Sequence, residues 1–173
     1  WNDENNNKYL NAYFQKYENI WHHGDYCEKT INDGYIIYGR SDATLNAGGV
    51  RIGTSEIYRV VENIDKIIEC VAVEHNLYTD TEVILFVKMN SKYSLDHKLI
   101  KSIKLEIRTN LSPKHIPSKI FEVSDIPKTK SGKIVELSIK NIINGLEIQN
   151  KNALANPDCL KEYQDIYKIL KKD

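Results

Sequence analysis

Two apolar runs, "ECVAVEH" and "TEVILFVKM", stand either side of the polar pentad "NLYTD". Their length, β-branched content and polar connector predict an antiparallel pair of strands. Elsewhere the period changes. In "TSEIYRVVENI", residues Ile57, Val60, Val61 and Ile64 follow the spacing of one helical face. Thr54 is the predicted N-cap, and Glu56 suits the positive end of the helix dipole. "SLDHKLIKSIKLEIRTNL" predicts a second helix, capped by Ser94 and striped by Leu95, Leu99, Ile103, Ile107 and Leu111. Pro113 stops it. A short strand, "KIFEV", follows. Val135, Ile139, Ile142 and Leu146 mark a third helix that ends near Gly145. The tail restarts at "NPDCLKEYQDIYKIL", with Asn156 as N-cap, Pro157 at the first helical position and a docking face of Leu160, Tyr163, Tyr167 and Leu170.

Upstream, "NDGYIIYGR" carries turn residues before an apolar run and predicts a β-hairpin. "GRSDATLNAGGVRIG" reads as a loop in which two short strands pair across 46–49. From about residue 43 onward the pattern is that of an α+β domain, with helices beside a small sheet.

Composition narrows the partners. Lys plus Arg and Asp plus Glu number 24 each among 173 residues, so there is no basic excess of the kind nucleic-acid binders show. Any polyanion must be met by a few placed cations. Cys27, Cys70 and Cys159 are odd in number and lack a C-x-x-C pair, which favours reduced thiols in a cytoplasmic setting over disulfides or zinc. No apolar run has the length of a membrane span, and no membrane partner is expected. The sole methionine is Met89, so the chain reads as a piece of a longer or processed protein.

Four stretches carry candidate chemistry, each with a plainer alternative. "GGVR", near "GRSD", joins glycines that let backbone approach a ligand to arginines that fit phosphate or ribose; the alternative is a turn with surface arginines. In "WHHGDY", adjacent His22 and His23 diverge and do not suit one metal. Asp25 can accept hydrogen bonds from sugar hydroxyls, or be a turn aspartate. Arg108, just ahead of "LSPKHIP", is a clamp for a phosphorylated ligand or a rim charge. "PKTKSGK", 127–133, ends in a lysine that can meet developing phosphate charge, or is a solvated loop.

The order of "WHHGDY", "YGRSDATLNAGGVRIGTSEIY", "LSPKHIP" and "IPKTKSGK" resembles the C-terminal part of the acyl-CoA synthetases of the adenylate-forming superfamily, across essentially the whole chain. The tail "ALANPDCLKEY" is similar to the branch that uses acetoacetate, over acetate, propionate or an aryl acid. The resemblance implies 1–41 as the end of a large N-terminal domain, 42–146 as the small AMP-binding lid and 147–173 as a helical extension. It implies ATP, with magnesium held at the N-terminal domain, and CoA as co-substrate. The acid and ATP first give an acyl-adenylate and pyrophosphate, and CoA thiol then displaces AMP. Lys133 matches the adenylation lysine, Asp25 the ribose-binding aspartate, and Arg40 and Arg51 nucleotide-binding positions. Asp42 matches the hinge, and Gly49 and Arg108 match CoA-side positions. The Ser-Gly pair is expected to keep the lysine loop mobile, with Lys128 and Lys130 as solvated neighbours. His23 replaces the family's usual threonine. The family's phosphate-binding Gly/Ser/Thr loop has no counterpart in this sequence, so the chain alone is expected to be inactive. A standalone CoA- or nucleotide-binding module is the alternative outside catalysis.

Overall fold

A computed structural model of the chain describes residues 3–41, 43–47, 49–148 and 151–172. It divides into two units, Trp1–Asp42 and Ala43–Asp173.

In the first unit, helix α1 (Asn7–Tyr13) starts where the Asp3 carboxylate accepts hydrogen bonds from the Lys8 and Tyr9 amides at 2.9 and 3.0 Å. Trp21 stacks on Tyr13, ring centres 4.4 Å apart. Strands β1 (Asp25–Lys29) and β2 (Tyr35–Arg40) form the predicted antiparallel hairpin. Its turn places Asp33 at φ 58°, a conformation that Asp tolerates better than most residues.

The second unit is a three-stranded sheet between two helix pairs. Its order is β5-β6-β7: β5 (Ile67–Asn76) is antiparallel to β6 (Thr81–Met89), which is parallel to β7 (Lys119–Glu122). Parallel pairing needs a crossover, and α3 (His97–Asn110) supplies it. The apolar runs are continuous because both sheet faces are covered. Cys70, Ala72, Val83, Leu85 and Val87 face one core, with Ile57 and Val61 of α2 (Thr54–Val61) and Leu99, Ile103 and Ile107 of α3. Val71, Val73, Ile84 and Phe86 face the other, under α4 (Glu136–Ile143) and α5 (Leu160–Leu170). Strands β3 (Leu45–Ala47) and β4 (Val50–Ile52) pair antiparallel as the sequence predicts, and Leu45 and Ile52 anchor them in the first core.

Strand β5 is an edge strand, and three of its outer backbone groups are met by side chains. The Ala72 amide donates to Tyr58 Oη at 3.2 Å, Asn144 Nδ2 donates to the Glu74 carbonyl at 2.9 Å, and the Asn76 amide donates to Asn144 Oδ1 at 2.7 Å. This covering blunts an edge that would otherwise invite pairing. Tyr58 Oη in turn donates to Glu136, so α2 and α4 meet over the edge.

Several boundaries differ from the sequence expectation. Gly53 occupies the N-cap of α2, and Thr54 is already helical and buried. Asp96, not Ser94, caps α3, accepting from the Leu99 amide at 2.6 Å. The Leu95 amide is held outside the helix by Glu122 at 2.7 Å. Helix α4 stops before Leu146, in a Schellman motif: the Leu146 amide donates to Asn141 O at 2.8 Å and the Gly145 amide to Ile142 O at 3.0 Å, with Gly145 at φ 71°. On α5, Ile166 takes the inner position assigned to Tyr167, which is half-buried against Gly145. Asn156 heads a short 3-10 turn, Pro157–Cys159, that leads into α5.

Candidate functional site

Lys133 stands on a turn that is built, not loose. The Thr129 amide donates to Lys133 O at 2.8 Å, the Lys133 amide to Thr129 Oγ1 at 3.1 Å, and the Val135 amide to Pro127 O at 3.0 Å. Gly132, at φ 83°, makes the turn possible. The Ser-Gly pair, expected to keep the loop mobile, closes a hydrogen-bonded hairpin. Lys133 itself is exposed and makes no ion pair among the described residues. Its neighbour Lys128 is not the solvated side chain expected. Its ammonium pairs with Glu69 at 2.5 Å, and both side chains are largely covered. One lysine of the motif anchors the loop and another is presented from it.

The flanks of this loop, Ile126 and Ile139, lie in the second core, whereas the β3–β4 hairpin is rooted in the first. That hairpin carries Gly49 and Arg51, both exposed. Gly49 has φ 77° and open space where a Cβ would stand, so conformation and not crowding demands glycine. The Asn46 amide donates to Glu74 Oε1 at 3.1 Å, and Thr81 Oγ1 donates to Asn46 O at 2.9 Å, docking the hairpin on the sheet. The other Glu74 oxygen meets Lys140 of α4 at 2.9 Å. The two loops thus hang from opposite faces of one sheet. Arg108 lies exposed in the last turn of α3, on the face of the first core.

In the other unit, cross-strand register places Asp25 opposite Arg40. Arg40 Nη1 lies 4.0 Å from Asp25 Oδ1 and donates to the His23 carbonyl at 3.2 Å. His23 Nδ1 meets the other Asp25 oxygen at 2.6 Å. Gly24 has φ 89°, which strains any side chain, and a Cβ there would also press on the Arg40 guanidinium at 3.1 Å. Asp25 and Arg40 are thus brought together. Lys133, Gly49, Arg51 and Arg108 belong to the other unit, and Asp42 lies outside the described residues. No group of three or more His, Cys, Asp and Glu side chains suited to a metal occurs among the described residues. Among the described residues, no helix is long and apolar enough to cross a membrane.

Sequence reasoning missed the groups behind the lysine loop. Lys88 Nζ contacts Asp125 Oδ1 at 2.6 Å, and Asn156 Nδ2 contacts Asp125 Oδ2 at 2.5 Å. Burial raises the Asp125 carboxyl, but the hydrogen bonds from Lys88 and Asn156 outweigh it and hold the group below its ordinary range. The hydrogen bond to Asp125 likewise raises Lys88. The only sequence signal was the Asn-Pro pair at 156–157, read as a cap.

No family model matches the chain. It is 49% identical over 160 residues to the acetoacetyl-coenzyme A synthetase of Rhizobium meliloti (strain 1021), covering 92% of this chain and 25% of that protein. It is 45% identical over 168 residues to the acetoacetyl-CoA synthetase of Gallus gallus, covering 96% and 25%. Among solved structures, it superposes on acetoacetyl-CoA synthetase from Streptomyces lividans with a TM-score of 0.89 and 35% identity, over 100% of this chain and 26% of that one. The benzoate CoA ligase from Burkholderia xenovorans LB400 gives 0.67 and 25% identity, over 79% and 27%.

Fold and sequence together make this chain a homologue of the C-terminal portion of AMP-forming acyl-CoA ligases. Within that class its relatives are acetoacetyl-CoA synthetases, and it spans about a quarter of their length.

Proposed function

We propose that this chain is the C-terminal lid of an acetoacetate:CoA ligase, working with a larger N-terminal domain on ATP, magnesium, acetoacetate and CoA. The observation that carries this reading is Lys133, exposed and without an ion pair among the described residues, presented from a hydrogen-bonded turn on the opposite side of the sheet from the Gly49–Arg51 hairpin. In adenylation, a carboxylate oxygen attacks the α-phosphorus and pyrophosphate leaves. The Lys133 ammonium would offset negative charge growing between carboxylate and phosphate, which is stabilisation felt most in the transition state. Asp25 would accept the ribose hydroxyls, with Arg40 beside the phosphate. In the second step the CoA thiol attacks the acyl carbon and AMP leaves. The Gly49 turn would then face the pantetheine arm, with Arg51 and Arg108 toward phosphates. Asp42 would be the pivot, a role supported by the division between units at that point.

The acid's identity rests on the relatives, because its pocket would lie in the N-terminal domain. The free thiols suit a cytoplasmic enzyme whose product enters lipid and fatty-acid metabolism.

Lys133→Ala in the full-length ligase tests the assignment. Acetoacetate-dependent pyrophosphate–ATP exchange should fall by about two to three orders of magnitude, the typical cost of removing one charge-stabilising group. Thioester formation from preformed acyl-adenylate should be retained. Equal loss in both half-reactions would remove Lys133 from the adenylation role.

A further inference from the structure

We infer that segment 153–156 is a strap that fixes the lysine loop for adenylation, with Asn156 as the positioning residue. The inference rests on the adenylation role proposed for Lys133.

The leading limb of the loop is held on two sides. Its own return limb takes Lys128 in a bridge with Ile134, and the tail takes Thr129 in an antiparallel bridge with Leu154. Around that second bridge the Ala155 amide donates to Lys128 O at 2.8 Å, and the Lys130 amide donates to Ala153 O at 3.3 Å. Asn156 then supplies what a further strand residue cannot. Its Oδ1 accepts from the Lys128 amide at 2.9 Å, and its Nδ2 donates to Ile126 O at 2.9 Å and to Asp125 Oδ2 at 2.5 Å. Both backbone groups of Lys128 are therefore satisfied by the tail. An amide side chain is required for this, because one end must accept and the other donate.

The strap is itself anchored. Leu154 is buried in the second core, and Tyr163 of α5, fully buried, donates to Asp125 O at 3.0 Å. Glu162 accepts from both the amide and the hydroxyl of Ser124, at 2.9 and 2.7 Å. Between Ser124 and Lys130 the approach to Lys133 is thus registered against the tail at every residue but Pro127. The sheet side contributes Lys88 to Asp125 and Glu69 to the Lys128 ammonium. A lysine that must offset charge at one developing centre gains from such a frame, since displacement by about an ångström can cost on the order of a hundredfold in rate.

The two half-reactions separate positioning from general stability. In the full-length ligase, Asn156→Ala should lower acetoacetate-dependent pyrophosphate–ATP exchange by about ten- to a hundredfold. Thioester formation from preformed acyl-adenylate should stay within about twofold, because the strap touches no group assigned to that step. Ala155→Pro, at an exposed position, removes the N–H given to Lys128 O and should show the same selectivity should Asn156→Ala fold poorly. Leu170→Ala loosens α5 at the end of the helix away from the strap and should lower the thermal midpoint without this selectivity. Lys133→Ala is run beside them. If Lys133→Ala is selective for adenylation while Asn156→Ala and Ala155→Pro leave that half-reaction intact or depress both halves equally, the strap is overturned and the lysine role stands. An equally selective Leu170→Ala would overturn the strap as well. If Lys133→Ala is itself unselective, the adenylation reading fails and the strap's function with it.

Discussion

Removing one oxygen from the edge of the sheet should cost more than its size suggests. Tyr58 Oη accepts from the Ala72 amide at 3.2 Å and donates to Glu136, and Ala72 is almost wholly buried. Burial, with the negative charge of Glu136 beside it, raises the phenol well above its ordinary value, so the hydroxyl stays protonated and remains a donor. Tyr58→Phe keeps the ring against the first core and creates little cavity. It leaves the Ala72 N–H without its acceptor, and a stranded buried donor costs about 1–3 kcal/mol. Tyr58 is only half-buried, and water reaching part of the gap brings the expected loss to about 1–2 kcal/mol. For a unit of this size that corresponds to a fall of roughly 3–8 °C in the thermal midpoint. Because the chain has two units, the thermal scan should be paired with amide exchange at Ala72, which reports on the sheet edge alone. Glu136→Gln retains an acceptor for Tyr58 and should lose less than Tyr58→Phe. A midpoint within about 1 °C of the parent, with Ala72 protection unchanged, would refute the view that Tyr58 closes this edge.

Two further outcomes follow from the same geometry. Gly145 and Gly132 both have positive φ, where an alanine costs about 1 kcal/mol or more, but a Cβ at Gly145 would also meet Tyr167 Oη at 2.5 Å while Gly132 has open space. Gly145→Ala should therefore lower the urea midpoint clearly more than Gly132→Ala, and equal losses would show that Tyr167 yields freely. Burial raises Cys70 and Tyr163, as it does Tyr58, so each is held protonated in the fold. Groups raised in the folded state contribute stability that is whole below their unfolded values and is lost as pH rises. Thermal midpoints should hold up to about pH 9 and decline above it, less steeply in Tyr58→Phe; a flat profile to about pH 11 counts against the burial of these groups.

Elements with strong periodicity were legible, and the places where reading failed share a cause. "TEVILFVKM" reads as a strand because both of its faces are buried, and the stripe of α3 reads as a helix because Leu99, Ile103 and Ile107 recur on one side. The α3 cap went astray where two polar residues competed. Ser94 and Asp96 are equally plausible from composition, and the choice is made by Glu122, distant in sequence, which holds the Leu95 amide outside the helix. In the site, the Asp25–Arg40 pairing follows from hairpin register, a local property. The anchoring of Lys128 by Glu69 and the pairing of 128–130 with 153–155 depend on contacts across the fold that no short window contains. A short window therefore places Lys128 in solvent, whereas the fold pairs it with Glu69.

That difference bears on how the proposed exchange between half-reactions can occur. Carrying Lys133 away by loop motion alone would break the two bonds joining it to Thr129, the Val135–Pro127 bond, the bond from the Ala155 amide to Lys128 O and that from the Lys128 amide to Asn156 Oδ1. At about 1 kcal/mol net for each bond, such an opening costs several kcal/mol before any contact is gained. The Gly49–Arg51 hairpin is no freer, being held through Asn46 by Glu74 and Thr81. Glu74 also grips α4, and Tyr58 joins α2 to Glu136 at the head of that helix, so the two loops share one frame. A body built this way has a cheaper route: rotation about a few backbone dihedrals leaves every one of these bonds intact. Within the proposed reading, the physical work of the fold is to keep two loops rigid on opposite faces so that turning the body withdraws one as it presents the other.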